Sequence, residues 1–207
     1  MDNFANNQND IASHSGLPFS LDLIGKVAIV TGAQRGALVM ASDRSPAIEE
    51  LRQHGVETFV GDVVEEATAI RTAQRSVEKF GTVDILVTNA GRTLNGDILD
   101  TSVDAFDDIM AVNASGNFLH ICEAVRVMRV NGQGTIVSVA SVSSTVAFAT
   151  QTAYAGSKGA IAQKAAATRR LITLALQDNQ TRQNGPNPLP RGCCSLSPPP
   201  CLATMCF

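Results

Sequence analysis

Short apolar runs rich in β-branched residues alternate with amphipathic stretches over most of this chain. K-V-A-I-V-T (26–31), A-L-V-M-A-S (37–42), E-T-F-V-G-D (57–62), D-I-L-V-T-N-A-G (84–91) and G-T-I-V-S-V-A-S (134–141) read as strands. Their near-continuous apolar character is that of strands buried on both faces. Helical patterns lie between them. Ser45-Pro46 starts a helix that Gly55 stops, with Ser as N-cap and Pro at the first helical position. Val64 to Phe80 forms another, with Ile70, Ala73, Val77 and Phe80 as its apolar stripe and Gly81 as C-cap. Thr101 to Asp104 resembles a capping box opening a long helix over 102–130, and Gly132 ends that segment. Ala153 to Gln163 is helical, and Lys164 to Gln177 can prolong it by composition. Strands alternating with helices predict an α/β fold, a doubly wound parallel sheet of Rossmann-like form.

The ends break this pattern. Residues 1–20 are polar and Asn-rich and read as a flexible arm; without a basic start or an apolar core they are not a secretory signal. The ordered domain is expected over 21–177. Residues 178–207 carry N-G-P-N-P-L-P-R-G-C-C and S-P-P-P-C, a disordered composition without a strand pattern.

Composition narrows the function. The chain has 207 residues, 44% of them hydrophobic and 17% charged, with net charge −3, which suits one soluble domain with a sizeable core. Mild acidity leaves no electrostatic footprint for nucleic acid. No apolar run approaches the roughly 20 residues that span a bilayer, so the cytoplasm is the expected location. Cys122 falls in a helical pattern and is expected in the core. Cys193, Cys194, Cys201 and Cys206 follow no paired C-x-x-C spacing and have no nearby His, so no metal site is expected.

The candidate chemistry lies in S-V-S-S-T-V-A-F-A-T-Q-T-A-Y-A-G-S-K (141–158). Tyr154 is the sole tyrosine, and Lys158 follows it by one helical turn, so phenol and ammonium share a face. A free tyrosine has a pKa of about 10, and lowering it by three units takes roughly 4 kcal/mol. A cation about 4 Å away at an effective dielectric near 20 supplies about that much. Ser141, at the carboxyl end of the last strand, sits where open α/β sheets place their sites. A Tyr and a Lys on an ordinary surface helix is the bland alternative, because Y-x-x-x-K alone is a weak pattern.

Over roughly Leu21 to Gln163 the chain resembles the short-chain dehydrogenase/reductase family. The resemblance rests on T-G-A-Q-R-G (31–36), Asp43, D-V (62–63), N-A-G (89–91), Asn113, Ser141 and Y-A-G-S-K (154–158), each at the end of its proper element. It implies hydride transfer between NAD(P) and a secondary alcohol or ketone. Tyr154 would be the acid/base. Lys158 would lower the tyrosine pKa and bind the nicotinamide ribose. Ser141 would orient the substrate oxygen, and Asn113 would hold a water of the proton relay. Gly32, Arg35 and Gly36 would belong to the phosphate loop, Asp62 and Val63 would contact adenine, and Asn89, Ala90 and Gly91 would line the cofactor cleft. Asp43 would bind the adenosine ribose and favour NAD, against Arg35 and Arg44, which pull toward NADP. Taken alone, Asn113 reads as a mid-helix residue on a solvated face, N-A-G as a simple turn, and Asp43 as a pre-helix residue.

Two departures bear on competence. Leu38 stands at the third glycine of the family's T-G-x-x-x-G-x-G loop, and only Gly32 to Gly36 separate the first two runs. A parallel crossover through a helix takes about 10–12 residues. The expectation is therefore a hairpin-like link, without the helix whose N-terminus holds the pyrophosphate. Alternatively, Gly36 to Ser42 becomes that helix and the second strand is lost. The resemblance also stops near Gln163, so the family's last strands and substrate lid are not expected. The catalytic set would then stand in an incomplete frame with impaired turnover. The alternative is an inactive or aberrant member, at most a partner of intact relatives. Sugars, polyols, acyl thioesters and steroids all remain open as substrates, and so does homo-oligomerisation.

Overall fold

The computed structural model describes Leu23, residues 25–31, 38–146, 148–183 and 203–206. Its centre is a parallel sheet of β1 (Val27–Thr31), β2 (Leu38–Asp43), β3 (Glu57–Val60), β4 (Ile85–Thr88), β5 (Thr135–Val139) and β6 (Ala203–Cys206). The strand order is β3-β2-β1-β4-β5-β6, so direction along the sheet reverses between β1 and β4. That reversal opens a crevice at the carboxyl ends of β1 and β4, the place where open α/β sheets bind ligands. The doubly wound, Rossmann-like expectation holds.

One face of the sheet carries the main core. Ile29, Met40, Leu86 and Ile136 pack there against Ala73 of α1 (Glu66–Phe80) and Ile121, Ala124 and Met128 of α3 (Gly116–Asn131). A smaller cluster of Val39, Ala41 and Ile48 lies on the other face, beneath the 3-10 helix Pro46–His54. Ser45 caps that helix with its side chain, and Gly55 ends it in the left-handed conformation at φ 77°. Burial alternates strictly along β5, from half-buried Thr135, Val137 and Val139 to buried Ile136 and Ser138.

The link between β1 and β2 overturns an expectation. Val27 pairs with Leu38 and Thr31 with Ser42 in parallel register, so β1 and β2 are not a hairpin, and residues 38–42 are strand rather than helix. Reach explains it. Returning along the five residues of β1 and stepping to the next strand is a gap of about 14 Å. Seven Cα steps from Thr31 to Leu38 extend to roughly 25 Å. The usual 10–12 residues are what a helical crossover needs, not what the distance needs. Gly32, Arg35 and Gly36 lie outside the described residues.

Other differences are local. The buried stripe of α1 is Thr68, Ala69, Thr72, Ala73 and Ser76, whereas Val77 is exposed. Thr72 and Ser76 are accommodated because each hydroxyl donates to the carbonyl four residues back. The expected helix over 102–130 is α2 (Val103–Met110), a π-helical turn (Ala111–Ser115) and α3. Its cap is Ser102, whose hydroxyl accepts from the Ala105 amide; Thr101 instead donates to the Asp97 carbonyl. Cys122 is half-buried rather than a core residue. The final helix, α4, runs from Thr152 to Gln183, beyond the expected end. Ala203–Cys206 pairs with β5 from Ile136 to Val139, against the expectation of no strand in the tail. A four-residue apolar segment beside a proline-rich stretch gives too short a pattern to stand out.

Candidate active site

The site is built where β1, β4 and β5 end and α3 and α4 begin. Thr31, the last residue of β1, supplies a hydroxyl that donates to the Val87 carbonyl at 3.3 Å. The same oxygen accepts from the Asn89 and Ala90 amides at 2.8 and 2.9 Å. One side chain thus fixes the turn Asn89-Ala90-Gly91 after β4. Gly91 follows with no room to spare: a Cβ there would stand 3.1 Å from Asn113 Oδ1 and 3.5 Å from Lys158 Nζ.

Asn113 is 0% exposed in the π-helical turn, so the solvated-face reading does not hold. Its Oδ1 accepts from the Arg92 amide at 2.8 Å, and its Nδ2 donates to the Arg92 carbonyl and to Ser157 Oγ, both at 2.9 Å. Ser157 in turn donates to the Tyr154 carbonyl at 2.7 Å. Asn113 therefore joins the β4 loop to the first turns of α4. The Arg92 guanidinium pairs with Asp108 on α2.

Tyr154 and Lys158 occupy successive turns of α4, as their spacing predicts. Lys158 is 5% exposed; its Nζ donates to the Val139 carbonyl at 2.9 Å and lies 5.9 Å from the Tyr154 ring centroid. Burial pulls the Lys158 amine below the usual lysine range. Ser141 follows β5 and caps the short turn Val142–Ser144. Its hydroxyl accepts from the Ser143 amide at 3.1 Å, which leaves its own proton free to be donated.

Two loops frame this cluster, and Gln151 braces them. Its Nε2 donates to Asn95 Oδ1 at 2.9 Å, and its Oε1 accepts from Ser143 Oγ at 3.0 Å. The Gly96 amide adds a bond to the Thr150 carbonyl at 2.8 Å.

The other side of the crevice holds Asp43, Asp62 and Val63. The Asp43 carboxylate accepts from the Ser45 amide at 2.8 Å, and its carbonyl accepts from the Gly61 amide at 2.9 Å. Asp62 Oδ1 accepts from the Val64 amide at 3.2 Å. Val63 is buried against Gly116, where an added Cβ would meet the Val63 carbonyl at 3.0 Å. Among the described residues no cluster of His, Cys, Asp or Glu could hold a metal ion.

The structure thus gathers Asn113, Gly91, Tyr154 and Lys158 into one cluster beside Ser141, with Asp43, Asp62 and Val63 on the far wall. Sequence reasoning missed Thr31, Gln151 and Ser157 as supporting groups. It also missed Lys164, whose amine donates to the Ala114 carbonyl in the π-helical turn and is pulled down by burial. Polar residues at inward helical spacing were the available signal for Ser157 and Lys164.

A family model described as short chain dehydrogenase matches residues 24–173. An "Uncharacterized oxidoreductase" of Thermotoga maritima is 39% identical over 145 residues, covering 67% of this chain and 57% of that protein. A 2-(R)-hydroxypropyl-CoM dehydrogenase of Xanthobacter autotrophicus is 38% identical over 164 residues, covering 68% and 66%. The chain thus matches less than two thirds of the length of either relative. A solved short-chain dehydrogenase/reductase from Serratia marcescens superposes with a TM-score of 0.67 at 28% identity, covering 74% of this chain and 71% of its own. Family match and fold agree over the segment that builds the cluster, and the chain belongs to the short-chain dehydrogenase/reductase family.

Proposed function

We propose that the cluster is the proton-transfer site of an NAD(P)-dependent oxidoreductase acting on a secondary alcohol or ketone. The observation that carries this reading is the buried Lys158 amine held on the Val139 carbonyl one turn from Tyr154, beside the Ser141 hydroxyl at the end of β5. The described residues fit a nicotinamide cofactor, because Gly91 keeps a Cβ away from the Lys158 amine and from Asn113. When bound, such a cofactor supplies the hydride acceptor or donor. Tyr154 Oη takes the alcohol proton in oxidation and returns it to the carbonyl oxygen in reduction. Ser141 donates its free hydroxyl proton to the substrate oxygen. Lys158 presents its amine to the ribose side of the cleft, and Asn113 holds the Arg92 backbone and α4 in place.

Asp43 favours NAD over NADP by placing a carboxylate at the end of β2, while Asp62 and Val63 face the adenine side. Gly32, Arg35 and Gly36 belong to the phosphate loop in this reading. Residues 32–37 are too few to hold that loop and a helix of several turns. The dipole and amides that would bind pyrophosphate are therefore weakened, and turnover is expected to be low. Among the described residues no helix is long and apolar enough to cross a membrane, which is in keeping with a small-molecule enzyme of the cytoplasm.

NADH and NADPH titrations by calorimetry, followed by assays on a panel of secondary alcohols, test the reading. The expected result is weak saturable binding, with slow oxidation that Tyr154→Phe abolishes. A folded protein that binds neither cofactor, or whose activity survives Tyr154→Phe, would overturn it.

A further inference from the structure

A second polar cluster lies deeper, between α3 and the carboxyl ends of β1 and β4. His120 Nδ1 stands 2.9 Å from the Gly116 carbonyl. A carbonyl only accepts, so Nδ1 carries the proton and Nε2 of the neutral ring presents a bare lone pair. Asn117 directs Nδ2 to Thr88 Oγ1 at 2.6 Å and to Ser138 Oγ at 3.3 Å. Its Oδ1 is then an acceptor as well. Both atoms are buried and, among the described residues, have no hydrogen-bond partner. His120 and Asn117 are 4% and 6% exposed, so bulk water does not serve them either.

Both residues line one cavity, together with Thr31, Val63, Thr88 and Ala90, and the space open to a water's centre is about 10 Å³. That is close to the volume one water needs, and a buried water needs two to four polar partners. Both unpartnered acceptors belong to residues that line this water-sized space, and two acceptors match the two O–H donors of a single water. No carboxylate lines the cavity, which argues against a cation.

We infer that this cavity is a built hydration site, in which one water donates to His120 Nε2 and to Asn117 Oδ1. The water links the two side chains into a network that continues through Thr88 Oγ1 to Ser138 Oγ at 3.1 Å, tying α3 to β4 and β5. Thr31, on the cavity wall, holds the Asn89-Ala90 turn, so the water lies beneath the loop that lines the crevice. The site stands whether or not the protein binds a nucleotide.

A high-resolution crystal structure, with long-range ¹⁵N correlation of the histidine rings in solution, tests this. The expected result is a density peak within hydrogen-bond distance of both acceptors, and a His120 ring protonated at Nδ1. Magnetisation transfer from water to the His120 ring is expected too, and it should fall in the variant Asn117→Leu, which keeps the ring and removes the second acceptor. Absence of the peak, a ring protonated at Nε2, or transfer that survives undiminished in a folded Asn117→Leu variant would overturn the inference. If that variant does not fold, the measurements on the unaltered protein still decide.

Discussion

The side-chain amide of Asn113 pairs with both backbone groups of Arg92, accepting from its N–H at 2.8 Å and donating to its carbonyl at 2.9 Å. This is the pairing a neighbouring strand would give, made by one side chain. It holds the loop after β4 against the π-helical turn. Asn113→Leu keeps the volume but strands the Arg92 amide and carbonyl, while the Ser157 hydroxyl keeps its bond to the Tyr154 carbonyl. Each buried polar group left unsatisfied costs about 1–3 kcal/mol. The expected loss is roughly 2–4 kcal/mol in urea unfolding, on the same scale. A change within error would show that solvent replaces these bonds without cost.

Lys158 gives a pH signature. Burial lowers its folded pKa below the 10.5 of the unfolded chain. Between those two values the unfolded state binds the extra proton, so stability rises with pH across that window. Compared with Lys158→Met, the unaltered protein should gain stability as pH rises toward 10.5, with the difference flat below the folded pKa. Thermal melts of both proteins over this range check the sign. A difference that shrinks on the alkaline side would mean that the amine is stabilised in its charged form.

Gln151 joins the loop bearing Asn95 and Gly96 to the loop bearing Ser143, immediately before α4. Gln151→Ala removes both side-chain bonds while leaving the Gly96 to Thr150 backbone bond in place. The Gly96 amide should then exchange with solvent several-fold faster, since losing about 1 kcal/mol of local stability is a factor of about 5. Hydrogen exchange followed by NMR reads this directly. Unchanged protection at Gly96 would show that the backbone bond alone sets the loop.

How much of this was legible in the sequence depends on distance along the chain. Tyr154 and Lys158 are one helical turn apart, and periodicity alone puts them on one face. Ser141 and Asn89 follow strands, and Asp43 ends one, whose apolar runs mark their own ends. The parallel pairing of β1 with β2 was not legible, because the link is too short for a helical crossover and only its extended reach lets it return. Asn117 and His120 lie on the buried stripe of α3 with Ile121, Ala124 and Met128, where two polar residues interrupt an apolar pattern. Their position marked them as inward-facing. Their partners, Thr88 and Ser138, sit on two different strands at separations that no local pattern encodes.

Gly116 tests whether the wall of the crevice can be moved independently of the fold. A Cβ there would meet the Val63 Cγ2 and carbonyl at 3.0 Å, and the carbonyl is backbone that cannot rotate away. Gly116→Ala must therefore push the loop bearing Asp62 and Val63 away from α3. Overpacking of this kind typically costs about 1–3 kcal/mol, partly offset by the better helix propensity of Ala. Because Val63 lies on the proposed adenine side, nucleotide binding should suffer more than stability. AMP and nicotinamide mononucleotide, titrated separately, divide the cleft into its two halves. AMP binding should weaken about tenfold, the equivalent of roughly 1.4 kcal/mol. Nicotinamide mononucleotide binding should hold, because Gly91, Tyr154 and Lys158 lie across the crevice. Equal losses for both ligands would place the damage in the fold as a whole rather than in the wall.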